Sequence, residues 1–125
     1  MPIVDKLTML KMAVNDMPKA KAFYADKLGL KVASDYRRDD RNWWVSLIFP
    51  QGGPAITLTT AHENMKPGAM SLYFASSDVA AAHQELGAKG AKVNEVKADL
   101  HGPGSGGKWF NLEDPDGNQV ILEQA

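Results

Sequence analysis

Three histidines and no cysteine set the chemical inventory of this 125-residue chain. Without cysteine there is no disulfide, no zinc–thiolate centre and no thiol nucleophile. Chemistry falls to imidazole, carboxylate, hydroxyl and aromatic groups. His101 sits in D-L-H-G-P-G-S-G-G-K, residues 99–108, a glycine-rich loop able to cover the mouth of a pocket. It has two readings: a general base titrating near neutral pH on a moving loop, or a loop histidine without chemistry. The glycines around it are not a phosphate cradle, because their spacing fits neither the G-x-x-x-x-G-K-[ST] nor the G-x-G-x-x-G pattern. His83 falls on the packing stripe of a predicted helix and reads as structural. His62, beside Glu63 in a polar connector, is expected in solvent. Trp43 and Trp44 are adjacent on a predicted strand, so they point to opposite faces. Whichever faces inward would join Tyr73 and Trp109 in an aromatic clamp for a planar ligand or a cation. The alternative is that all three tryptophans belong to the core or to a dimer interface.

The elements that position these groups are legible from periodicity. Hydrophobic residues make up 44% and charged residues 23% of the chain, the make-up of a soluble globular domain. Fourteen basic and fifteen acidic residues leave a net charge of −1, with no basic stripe for nucleic acid. No apolar run approaches the ~20 residues of a membrane span, and residues 1–8 lack a signal-peptide pattern, so a cytoplasmic location is expected. Strands are predicted at 7–14, 30–36, 43–49 and 55–60. A helix follows the first, with Asp16 as N-cap, Pro18 in its first turn and Gly29 beyond its end. After the connector 61–67 the order repeats: a strand at 70–75, a helix at 79–89 capped by Asp78 and ended by Gly90, and strands at 91–96, 108–113 and 118–123. In E-D-P-D-G-N (residues 113–118) Pro115 pre-sets a turn and Gly117 can take φ > 0, predicting a closing hairpin with a type I turn and a glycine bulge.

Each half therefore reads strand, Asp-capped helix, glycine stop, three strands. The fold class is α+β: two βαβββ modules, 1–62 and 68–125, in one domain spanning 1–125. About sixty residues per module is too few for a secure core, so the modules must pack together or pair with a second chain.

V-N-D (14–16), F-Y-A-D-K-L-G-L (23–30), S-S-D-V (76–79) with Gly90, and D-P-D-G-N (114–118) together resemble the vicinal oxygen chelate superfamily of glyoxalase I, bleomycin-resistance proteins and extradiol dioxygenases. The resemblance covers nearly the whole chain. It implies curled mixed sheets around a cavity, with helices outside. In metal-dependent members four ligands, His or Gln, Glu, His and Glu, come from the first and fourth strands of each module. Those positions fall here at Met9, Thr57, Ser71 and Ile121, none a competent ligand for a divalent ion, so a metal-free member without cofactor is expected. His101, Glu113 and Glu123 hold the donor types for a metal site outside the family pattern.

With the metal set aside, alternation assigns Met9, Lys11, Thr57, Thr59, Ser71, Tyr73, Ile121 and Glu123 to the cavity face. The expected ligand-binding set is Met9, Lys11, Trp44, Thr57, Ser71, Tyr73, Trp109 and Ile121. The leading expectation is a homodimer that sequesters a planar or antibiotic-like organic ligand and catalyses nothing, with no nucleic-acid or membrane partner. One alternative is a glyoxalase-like lyase or isomerase, or a dioxygenase-like enzyme, using His101 or Glu123 as an atypical base. Another is an interaction module with its cavity collapsed by Met9 and Tyr73.

Overall fold

A computed structural model describes residues 2–125. Along the chain come β1 (Met9–Ala13), α1 (Met17–Lys21) with a π-helical continuation (Ala22–Lys27), β2 (Lys31–Asp39), β3 (Asn42–Ile48) and β4 (Ala55–Thr59). They are followed by β5 (Ser71–Ser76), α2 (Val79–Ala88), β6 (Lys97–Ala98), β7 (Lys108–Glu113) and β8 (Gln119–Gln124). The chain divides into two compact units, one ending at Pro67 and one running from Gly68 to Ala125. Each unit holds an open four-stranded mixed sheet, ordered β1-β4-β3-β2 in the first and β5-β8-β7-β6 in the second. The fold is α+β with two modules. In each sheet the first strand pairs in parallel with the last, and the other neighbours are antiparallel. Among the described residues no helix is long and apolar enough to cross a membrane.

Capping and packing explain why the helices form where they do. Asp16 and Asp78, both in extended backbone, accept the N–H groups of Lys19 and Ala81 at 3.0 Å, satisfying donors that a helix start leaves orphaned. α1 packs over β4, and α2 over β7 and β8. In the first unit Met17, Ala20, Phe23 and Tyr24 bury against Met12, Val45, Leu47, Ile56 and Leu58, all on one sheet face by strand register. In the second, Val79 and Leu86 meet Leu72, Phe110, Leu112, Val120 and Leu122. Each large apolar side chain buried this way contributes about 1.5–3 kcal/mol of transfer free energy. His83 is structural, as read: its ring stands edge-on to Phe110 with centroids 5.1 Å apart, and its Nε2 lies 2.9 Å from the Asn94 carbonyl oxygen.

Two local expectations change. The first helix widens after Lys21, where Leu28 N–H bonds to Phe23 O at 3.0 Å, one residue further back than in an α-helix. The strand predicted at 91–96 reduces to one bridge, Val93 with Leu112, and pairing resumes only at β6. His83 lies against the Asn94 carbonyl, and the Asn94 amide side chain bonds to Asn111 Oδ1 at 3.0 Å. The Asn94 N–H still bonds to Asn111 O at 3.0 Å, but the Asn94 carbonyl is taken by His83 and not by a neighbouring strand.

The segment Asp114–Asn118 closes the second sheet. Gly117, at φ 91, donates to Asp114 O at 3.0 Å, and Asp114 N–H returns to Asn118 O at 3.0 Å. The buried Asp114 carboxylate accepts from the backbone of Asp116 and Asn118 and from Asn118 Nδ2 at 2.8–2.9 Å. Asn118, fully buried, spends its Oδ1 on Met70 N–H at 2.8 Å. The turn therefore ties the β7–β8 hairpin to the start of β5, and its polar residues serve the fold.

Candidate functional site

The side of each sheet away from its helix is where the candidate residues collect. In the first unit, register places Lys11 beside Thr57 and Thr57 beside Ser46, with Ala13, Thr59, Trp44 and Tyr36 in the next row. Met9, Lys11, Trp44 and Thr57 therefore share this face. Met9 is 45%, Tyr36 56% and Ile48 38% exposed, an unusual grouping of bare apolar side chains for a strand surface. Ser46 Oγ and Thr57 Oγ1 bond at 2.9 Å. The Trp44 and Tyr36 rings stack 5.5 Å apart at 13°. Lys11 Nζ lies 3.3 Å from Glu63 Oε1. Trp43 takes the opposite side, where its indole N–H donates to Asp35 at 2.7 Å and the Arg37 guanidinium lies 4.4 Å from its ring centroid.

Tyr36 and Ser46 were missed from sequence. Counting back from the turn, with Asp39 opposite Asn42, would set Arg37 opposite Trp44; an extra residue at Arg38 shifts the register by one and brings Tyr36 there instead. The bulge leaves no mark in the sequence, and ending the strand at Tyr36 left the hairpin unread. His62 is also corrected. It is half-buried, with Nε2 2.8 Å from the Val14 carbonyl oxygen, so it fastens the connector to β1.

In the second unit Ser71, Tyr73, Ile121, Glu123 and Trp109 share the helix-free face, with Tyr73 beside Ile121 and Trp109 beside Glu123. Tyr73 is 58% exposed, while Ile121 is buried. Lys97 Nζ lies 5.6 Å from the Trp109 ring centroid. His101 Nε2 meets Glu123 Oε2 at 3.0 Å. The pair borders a cleft of about 250 Å³ walled by Ser105, Gly106, Gly107 and Lys108. A carboxylate so placed fixes the imidazole's orientation and leaves Nδ1 to meet a ligand. Glu113 bonds instead to Gln119 Nε2 at 3.2 Å.

A second cleft, of about 300 Å³, lies on the helix side of the first unit among Asp16, Arg37, Asp40, Trp43 and Thr60. Its charges are already matched, Arg37 with Asp40 and the neighbouring Asp35 with Lys21. The Lys21 ammonium, then the Trp43 indole, hold the Asp35 carboxyl below its ordinary range. The Asn42 side-chain amide and the Arg41 N–H do the same for Asp39.

The four positions matched to the family's metal ligands offer a thioether at Met9, hydroxyls at Thr57 and Ser71, and a hydrocarbon at Ile121. The Thr57 hydroxyl is engaged with Ser46. This donor set carries no charge and no imidazole, so it does not suit a divalent ion. Among the described residues no three His, Asp or Glu side chains converge as a metal cage, the trio His101, Glu113 and Glu123 included.

Comparison with known proteins follows from this geometry. The family model for the glyoxalase/bleomycin resistance protein/dioxygenase superfamily matches residues 6–122. No curated protein sequence matches. TnmS3, an antibiotic binding protein from Streptomyces sp. CB03234, superposes with TM-score 0.85 at 24% identity, covering 99% of this chain and 98% of that one. A glyoxalase/bleomycin resistance protein from the same organism gives TM-score 0.78 at 25% identity over 95% of this chain and 100% of that one. A superfamily member from Sphaerobacter thermophilus DSM 20745 gives 0.81 at 20% identity over 99% and 100%.

Proposed function

The chain belongs to the glyoxalase/bleomycin resistance protein/dioxygenase superfamily, and from that membership we propose a protein that binds a planar, antibiotic-like organic ligand without a metal and works as a homodimer. The observation that carries the reading is the make-up of the helix-free faces. Met9, Lys11 and Trp44 around a buried Thr57 on one, and Ser71, Tyr73 and Trp109 around a buried Ile121 on the other, combine apolar and aromatic surface with a few polar groups, as organic-ligand sites do. The likeness of fold to an antibiotic binding protein supports it. The uncharged donor set at the family's metal positions supports metal independence. The open edges β1 and β2 in one sheet and β5 and β6 in the other support pairing with a second copy.

A thermal-shift screen of planar organic compounds and divalent metals tests the reading, because a ligand that binds only the folded state raises the melting temperature by mass action. Organic compounds should raise it and quench tryptophan fluorescence, while Ni, Zn, Fe and Mn leave it unchanged. A rise with metal alone would contradict the reading.

A second reading is favoured by the His101–Glu123 contact of 3.0 Å: a glyoxalase- or dioxygenase-like enzyme in which this pair moves a proton. Incubating a compound found by the screen with protein, then following its mass, separates the two. A binder returns the compound unchanged. An enzyme converts it, and His101→Asn stops the conversion.

A further inference from the structure

Resting on the binding reading above, we propose that the helix-free face of the first unit takes an aromatic ring system bearing an acidic oxygen, with the ring on Tyr36 and Trp44 and the oxygen on Lys11. The strands place two cations on this face, Lys11 beside Thr57 and Lys31 beside Ile48. Of the β2 carboxylates, Asp35 stands opposite Val45 on the helix side and is used there by Lys21 and Trp43, while Asp39, opposite Asn42 at the turn, is taken up by the Arg41 N–H and the Asn42 amide. β1, β3 and β4 add no carboxylate, so the positive charge near the middle of the face comes from Lys11.

The layout fixes the ligand's shape. One row across the sheet runs Lys11, Thr57, Ser46, Ser34, an ammonium followed by hydroxyls, of which that of the buried Thr57 is bonded to Ser46. The next row carries the stacked Trp44 and Tyr36. Two strand spacings and one same-face step separate Lys11 from Trp44, about 12 Å at the backbone. A two- or three-ring aromatic acid spans that gap once the lysine side chain extends.

Lys11 is held ready. Its partner Glu63 is 61% exposed at the side chain and sits on the connector at φ 56, a conformation that residues other than glycine seldom adopt. An exposed pair of this kind contributes little to stability, so a ligand oxygen replaces Glu63 at small cost. An ammonium–carboxylate contact, with both partners ionised, is stronger than the ammonium–amide bond a neutral isostere would make.

Calorimetric titration with 2-naphthoate and its neutral isostere 2-naphthamide tests the assignment. Wild type should bind the acid roughly tenfold more tightly than the amide. Lys11→Met should erase the difference and Lys11→Arg should keep it. Glu63→Gln, on an exposed connector, should tighten the acid and leave the amide alone, and Tyr36→Leu should weaken both alike. Equal affinity for acid and amide in wild type, unmoved by Lys11→Met and Glu63→Gln, would overturn the charge assignment while leaving the face a binding surface. Failure of wild type to bind either probe would overturn the binding reading and this inference with it.

Discussion

Asn118 shows how much one buried polar side chain decides. Its Nδ2 serves the Asp114 carboxylate and its Oδ1 takes Met70 N–H, both at 2.8 Å. Asn118→Ala leaves the Met70 N–H without its acceptor and removes the Nδ2 bond to the buried Asp114 carboxylate. We expect a loss of about 2–4 kcal/mol in stability, read as a lower urea midpoint. At the acid end of the pH range Asp35 is the informative residue. Its folded pKa lies below the ordinary range of an aspartate, chiefly through Lys21 and then Trp43. A depressed carboxyl contributes stability above its unfolded pKa, and that contribution is lost as pH falls through the folded value. The stability gap between wild type and Asp35→Asn should therefore be full at neutral pH and close progressively below about pH 4. A gap that stays constant down to pH 2.5 would mean that the Lys21–Asp35 pair does not form in solution. D-P-D-G-N was legible as a turn because proline, glycine and Asx residues act locally. The capture of Met70 by Asn118 was not, since it joins residues 48 apart in sequence.

Among the elements, alternation along β1, β4, β5 and β8 was readable in the sequence, and it puts Met9, Lys11 and Thr57 on one face and Tyr73 and Ile121 on another. The phase of β3 was not readable, because Trp43 and Trp44 are equally apolar and only pairing with β2 and β4 sends Trp44 outward. The π-helical widening after Lys21 leaves no mark in composition either. The β7–β8 hairpin depends on Gly117 at φ 91, where a β-branched side chain is strained by about 1–3 kcal/mol. Gly117→Val should lower the melting temperature by several degrees, and a change within one degree would mean that the turn is built otherwise. Gly68 is tighter still, since a Cβ there would sit 2.3 Å from the Asp116 carbonyl oxygen. Gly68→Ala should therefore destabilise although no side chain is lost.

At the scale of the whole molecule, two small sheets with open edges leave backbone donors and acceptors that a second copy can pair. Sedimentation at micromolar concentration should give a two-fold dimer burying on the order of 1,500 Å² in total, and a monomer would refute it. The repeat of strand, capped helix and strands announced the two modules because each half repeats the same local signals. The chemistry was less legible, since the fold hosts both metal enzymes and binders and the answer lies in which side chains stand at a few strand positions. The most direct measurement is calorimetric titration of 2-naphthoate into protein as purified and after exhaustive EDTA treatment, with elemental analysis of both samples. Metal-independent binding predicts no stoichiometric metal in either sample and one unchanged dissociation constant. One metal per chain before chelation, with binding lost after it, would contradict the account.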